Sequence, residues 1–451
     1  MKVLLLFSLA ILVSLMAYFR WNDAPQAWES NFRKIGTLSS PRSADLNGDG
    51  IKDIIIGAGG QEGEATDTAL VALDGVDGRV LWAVGAHDQL FGTPLLLDIN
   101  EDRTRDVIIS GRAGQLMAVD GSNGQIIWDF RKSEKPTFPL YNIFTPSLVP
   151  DQNGDGLEDL LVAQGGDVSK KPYESDRPAG MLMLIDARKG KLLAYDSMPD
   201  GKETYMSPVT YLLDGQVQLL FGTGGETIAG QLFRVSLNEF ISEGLNKAHI
   251  LASGREKGFI APPVLADLND DGVEDIVVNA VEGRLMALDG HSLALLWEVS
   301  RNQMEVYTSP ALGKFNDDDT PDVFVNFGKG IWPDLIACRQ LAVDGASGRV
   351  LLEDSVSFFS MSSPVTLDIN DDGLDEALLS VNYRLEKKIS QEIMLSNEVH
   401  NKLLAFDVVR QQRMRLDLEM PGPNPAVTPL LDDLDYDGQT DLIFAYQTDP
   451  Y

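Results

Sequence analysis

The chain contains one cysteine, Cys338, in 451 residues. That excludes an internal disulfide and any Cys-rich metal centre, and it leaves Cys338 as a small buried apolar residue. No Asn-x-Ser/Thr acceptor occurs, an absence unexpected in a eukaryotic surface protein and ordinary in a bacterial one. Positive charge is scarce: 37 Lys and Arg face 68 Asp and Glu, for a net charge of −31 and a pI near 4.4. With no basic patch to meet phosphate, nucleic acid is excluded as a partner. Histidine is rarer still. His87, His249, His291 and His400 are scattered without metal-ligand spacing, and no nucleophile motif accompanies them.

What is present begins at the N-terminus. Residues 3–19 form a run of 17, apolar apart from Ser8 and Ser14, bracketed by Lys2 and Arg20. A membrane span needs roughly 17–25 residues, and a usual signal core is shorter. Leu15-Met16-Ala17 offers a small residue at only one of the two positions a signal peptidase reads, and Tyr18 and Trp21 suit a membrane interface. The segment 1–20 therefore reads as an uncleaved single-pass anchor, with a cleaved signal as the alternative. Either way the remainder is expected outside the cytoplasm, in a periplasm or at a cell surface.

The acidic charge is not spread evenly. Asp45-Leu-Asn47-Gly-Asp49-Gly50-Ile-Lys-Asp53 puts oxygen side chains at positions 1, 3, 5 and 9 and glycine at 6, then runs into Ile54-Ile55-Ile56. Such spacing wraps a tight loop around a hard cation, since Ca²⁺ takes six to eight oxygens and the glycine permits the turn. An EF-hand would close at position 12 between helices. Here position 12 is Ile56, within an apolar strand, so Asp53 closes the loop. The pattern returns as Asp98, Asn100, Asp102, Asp106, and then as Asp151, Asn153, Asp155, Asp159, at intervals of 53 residues. It continues as Asp267, Asn269, Asp271, Asp275; as Lys314, Asn316, Asp318, Asp322; as Asp368, Asn370, Asp372, Glu376; and as Asp433, Asp435, Asp437, Asp441.

A period near 50 residues denotes a propeller or array whose units cannot stand alone. The unit is clearest at 261–267, 275–279, 283–290 and 295–298: four β-runs separated by turn residues, the make-up of one blade. Its second half reads Ala69-Leu-Val-Ala-Leu-Asp74-Gly-x-x-Gly78-x-x-Leu-Trp82, with copies ending at Trp128 and Trp297. The Asp-Gly pair fits a hairpin turn and the tryptophan an interblade core. The fold class is thus all-β: a seven- to eight-bladed β-propeller, 37–451, with seven full blades, a partial eighth and an N-terminal transmembrane or signal helix. Blades begin near 37, 91, 143, 205, 259, 307, 361 and 424. The fourth replaces the acidic loop with a plain turn, Asp214-Gly215, and residues 27–35 are placed to supply the missing outer strand of the eighth. Insertions at 61–68, 167–179, 327–337 and 384–401 lie between second and third strands, opposite the acidic loops. Variable loops on a rigid scaffold are the expected place for binding.

The acidic loop followed by Asp53-Ile-Ile-Ile-Gly-Ala-Gly-Gly60 resembles the FG-GAP repeats of integrin alpha propellers. The Ala-Leu-Asp-Gly-x-x-Gly-x-x-Leu-Trp half is similar to the tryptophan-docking repeat of quinoprotein propellers. The resemblance implies five to six Ca²⁺ sites, with the backbone carbonyls of Ile51, Leu157, Val273, Leu374 and Gln439 joining the side-chain ligands. Loop two carries Arg103 where glycine belongs; loop six carries Lys314 in place of the first carboxylate and is expected empty. Two functions of different class follow. One is a non-enzymatic, membrane-anchored binding or scaffold module with structural calcium and a protein or carbohydrate partner on the insertion face. The other is a pyrroloquinoline-quinone-dependent oxidoreductase, for which no central set of basic and carboxylate groups is legible and the adjacent cysteine pair of several such enzymes is missing.

Overall fold

The computed structural model describes residues 28–447 except 34, 135, 172, 175, 332–333, 357, 390–391, 415 and 417. The apolar span 3–19 lies outside the described residues. Among those described, no helix is long and apolar enough to cross a membrane.

The described chain folds as antiparallel sheets in sequence order, the architecture of a β-propeller. The first sheet comprises Arg42–Ala44, Asp53–Gly57, Thr66–Leu73 and Val80–Ala86. Six further sheets of four or five strands follow, and a two-stranded eighth, Leu430–Asp432 with Asp441–Ile443, ends the series. Second strands are mainly apolar and deeply buried because both faces are covered. Asp106–Ser110, Asp159–Gly165 and Asp275–Ala280 are buried at every position. Fourth strands alternate, as in Lys191–Ser197, because only one side meets a neighbour.

Burial is organised between sheets. Consecutive sheets share an apolar cluster, as Ile55 and Trp82 do with Val107 and Ile109. The series runs through to Leu378 and Leu403 of the seventh sheet against Leu431 and Leu442 of the eighth. A last cluster joins Leu434 and Ile443 of the eighth sheet to Ile54 and Val71 of the first, with Trp28 and Phe32 packed against it.

The tryptophans act at these junctions, as the repeat predicts. Nε1 of Trp82, Trp128 and Trp297 donates to the carbonyl of Gly121, Ala187 and Gly345 in the next sheet, at 2.7, 2.8 and 2.6 Å. Each ring lies on a glycine of that sheet's outer turn. A Cβ on Gly190 would come within 2.4 Å of Trp128, and Gly190 has φ +63°, so a side chain is refused twice over. Trp28 repeats the device from ahead of the first sheet, donating to Gly75 O at 2.9 Å. Nearby, Ser30 Oγ donates to Gly78 O and Tyr446 OH to Glu29.

Two insertions differ from expectation. The segments 327–337 and 384–401 are not loops. They continue the strands into long hairpins, Asp322–Ile331 with Asp334–Val343 and Glu376–Ile389 with Glu392–Asp407. Every residue from 376 to 384 is paired across the second hairpin. At 14 residues, Glu376–Ile389 outruns the six-residue Asp275–Ala280 by about 25 Å at roughly 3.3 Å per residue.

Candidate functional site

Each acidic loop connects a first strand to a second and, where the sheet has an outer hairpin, sits at the same end as the aspartate-led turn between strands three and four. In loop one the Asp45 carboxylate accepts Gly48 N–H at 2.7 Å and Gly50 N–H at 3.0 Å. Asn47 Oδ1 accepts Asp49 N–H, and Asp49 Oδ1 accepts Ile51 N–H, at 2.9 and 2.8 Å. Loop three repeats this through Asp151, Asn153 and Asp155, and loop five through Asp267, Asn269 and Asp271. The loops are therefore folded by their own carboxylates. Position 6 has φ between +82° and +89° in loops one, three, five, seven and eight, which glycine permits; Arg103 takes φ +78° at the same place in loop two.

The closing acid has a second task. Asp53 is fully buried and accepts Leu46 N–H at 2.9 Å and, across the sheet, Gly75 N–H at 3.0 Å. Asp106 does the same with Ile99 and Gly121, Asp275 with Leu268 and Gly290, and Asp322 with Phe315 and Gly345, all between 2.8 and 3.1 Å. It latches the acidic loop to the Asp-Gly turn. Sheet four lacks both partners together: Asp214-Gly215 makes a plain turn, as expected. A seven-residue helix, Leu237–Glu243, capped by Ser236 and Glu239, replaces the outer turn.

Burial raises these acids. Asp53, Asp106, Asp275 and Glu376 lie above the usual carboxylate range through desolvation, opposed by the N–H bonds. Asp159 and Asp322 are pushed up to about 6, with further carboxylates alongside adding to the effect. Hard, negatively charged oxygens crowded in this way are the donor set a divalent cation would satisfy. The carboxylates converge most closely in loop eight. There the ligand atoms of Asp433, Asp435 and Asp441 lie within 4.8 Å of one another, the one such group of three among the described residues. Asp441 is exposed because its two-stranded sheet has no outer turn to cover it.

Arginines enter two loops, which the sequence did not reveal. Arg188 Nε faces the position-5 carboxylate of loop three, Asp155, at 3.6 Å, and its Nη2 pairs with Glu101 at 2.9 Å. Arg410 Nη2 reaches the equivalent Asp372 of loop seven at 3.0 Å. Both come from the turn between strands three and four, where a lone basic residue carries no local signal. The insertions lie at the other end of the sheets, against the segments leading into the first strands. Gly63 N–H donates to Asp88 and Gln89 Nε2 to Gly60 O, at 3.1 and 2.6 Å.

Comparison with known proteins agrees with the fold. Residues 28–176 match a family model described as FAM234A/B beta-propeller. Protein FAM234B of Mus musculus is 23% identical over 389 residues, covering 78% of this chain and 58% of that protein. Protein FAM234A of Bos taurus is 26% identical over 351 residues, covering 72% and 59%. The chain thus spans less than two thirds of the length of these curated relatives. Among solved structures, a quinohemoprotein alcohol dehydrogenase from Comamonas testosteroni aligns with a TM-score of 0.53 at 12% identity, over 91% of this chain and 72% of that one. At that identity the likeness is one of fold.

Proposed function

We propose that the chain is a membrane-tethered, non-enzymatic binding module on the extracytoplasmic side, its propeller stabilised by Ca²⁺ and its partner held by the insertion face. The observation that carries this reading is the division of the molecule. One end repeats a similar acidic loop in every sheet but the fourth; the other carries insertions in four of the sheets, each different and two of them long hairpins. Repetition suits a structural role and variation a specific one. Asp45, Asn47, Asp49 and Asp53, and their counterparts in loops three, five, seven and eight, would hold the cation. Loop two fits less well because of Arg103, and in loops three and seven the cation would displace Arg188 from Asp155 and Arg410 from Asp372. A cation there neutralises carboxylates that otherwise repel, and it takes no part in any reaction. An extracellular-type site binds with a Kd of roughly 10⁻⁴–10⁻³ M, which suits an exported protein.

We read the ring as eight blades, the last completed by the N-terminal segment. Trp28, Phe32 and the Glu29–Tyr446 bond support that closure. The tether would be residues 3–19, and a mature N-terminus beyond Ala17 in mass spectrometry would replace it with a cleaved signal. The partner reading is tested by replacing 61–68, 167–179, 327–337 and 384–401 with short turns. Capture of partners from the native membrane should be lost with the melting temperature little changed. Capture that survives all four replacements would move the site elsewhere.

A further inference from the structure

On the insertion face, three aromatic rings from consecutive sheets form a continuous strip. Phe91, Phe144 and Tyr205 each stand three or four residues before a first strand begins, and all three are partly exposed. Ring centroids are 5.7 Å apart for Phe91 and Phe144, and 6.1 Å for Phe144 and Tyr205, tilted and edge-on respectively. Both ends of the strip are braced by an arginine and a glutamate. Arg112 lies 5.9 Å over Phe91 while its Nη1 pairs with Glu62 at 2.9 Å and its Nε donates to Gln89 Oε1 at 2.9 Å. At the other end Arg177 donates to Glu203 at 2.6 Å and to Tyr205 OH at 3.0 Å, and Tyr205 OH donates to Glu203 at 3.0 Å. Arg177 and Glu203 are nearly buried, so they fix the Tyr205 ring. Glu62 is half exposed and leaves the Arg112 end open to solvent. Glu305, Tyr307 and Lys257 repeat the brace two sheets further on.

We propose that this strip binds an uncharged oligosaccharide, a statement that rests on the insertion face being the partner surface. Sugar rings present flat patches of C–H, which sit on aromatic faces, and rims of hydroxyls that need fixed donors and acceptors. The strip supplies both: rings in sequence, with the Arg112 guanidinium, Gln89 amide and Glu62 carboxylate at its open edge. Its charges are already paired, so at the open end an anion would meet Glu62 as readily as Arg112. An apolar helix would need a wider dry surface than three rings between ion pairs offer.

The test titrates the full chain in mild detergent with neutral tetrasaccharides, namely β-1,4-glucose, β-1,4-N-acetylglucosamine, α-1,4-glucose and α-mannose, by calorimetry. At least one should bind at millimolar or tighter Kd. Phe144→Ala and Phe91→Ala should weaken it about tenfold or more. Phe144→Leu, which keeps apolar volume and so preserves the fold, should weaken it similarly, because only the aromatic face is lost. Tyr436→Ala, an exposed aromatic on the acidic face, should leave binding unchanged. Absence of binding by all four sugars at about 10 mM, or affinity unaltered by Phe144→Leu, would overturn the proposal. If the turn replacements abolish partner capture while no sugar binds, the carbohydrate assignment falls and the partner face stands. If capture survives them, the face itself is wrong.

Discussion

Loops five and six lie in adjacent sheets, share the same latch and the same contacts at positions 3 and 5, and part at position 1. In both, the closing aspartate is buried and accepts one N–H from its own loop and one from the Asp-Gly turn, at 2.9 and 2.9 Å for Asp275 and 2.9 and 3.0 Å for Asp322. In loop five the Asp267 carboxylate gathers Asp271 and Gly272 N–H at 3.2 and 2.8 Å, with Asp270 and Gly272 at positive φ. In loop six Lys314 occupies that position, and neither Asp317 nor Asp319 takes a positive φ. Losing the first carboxylate relaxed the loop; keeping the last one kept the latch. Position 9 is therefore a fold device as well as a candidate ligand. Position 1 is where a loop commits to gathering oxygens.

The contrast between these loops sets four expected outcomes, in descending magnitude. The first is removal of calcium. At ten times Kd each filled site contributes about 1.4 kcal/mol, so five sites give on the order of 7 kcal/mol. Chelator should lower the melting temperature of the parent substantially, and a parent indifferent to chelator would end the structural-calcium reading.

The second is Asp322→Ala. It strands two buried N–H groups, Phe315 and Gly345, at a cost of about 2–4 kcal/mol. The loss should be the same with Ca²⁺ or with chelator, since loop six is read as empty; a loss seen only in Ca²⁺ would mean that loop six is filled. Third, Asp49→Ala and Asp271→Ala should each remove one site's increment, about 1.4 kcal/mol, in Ca²⁺ and little in chelator. Asp318→Ala, at the equivalent position of loop six, should keep the parent's whole calcium increment. Equal behaviour of the three variants would erase the distinction between the loops.

The smallest effect is on pH. Asp322 is held at about 6 against an ordinary value near 3.8, so below pH 6 the folded state takes up a proton that the unfolded state releases. The associated stability is fully present below the ordinary value and is lost as pH rises through 6. In chelator, melting curves from pH 7 down to 5 should rise more for the parent than for Asp322→Asn, by on the order of 1 kcal/mol. Parallel pH profiles would show that Asp322 is ionised throughout.

Much of the molecule was legible because its information is local and recurs. The acidic loops, the Asp-Gly turns and the tryptophans repeat at blade spacing, and each occupies the predicted place in its sheet. The plain turn at Asp214-Gly215 and the tight Arg103 turn followed from single residues. The hairpin at 327–337 reads as a loop in sequence because Gly328, Gly330 and Pro333 are turn formers, and the one at 384–401 because charged residues on a ladder with no covering sheet look like loop residues.

The repeat, the strand order and the set of loops with a full oxygen complement are readable along the chain, since each is written within about ten neighbouring residues. Folding adds what no such stretch holds: Asp53 and its counterparts grip the outer turn, Arg188 and Arg410 lean into acidic loops, and Trp28 joins the last sheet to the first. It also brought Phe91, Phe144 and Tyr205 into one strip, from positions more than fifty residues apart. Those contacts are made between sheets, where packing geometry chooses the partner and no local pattern records it.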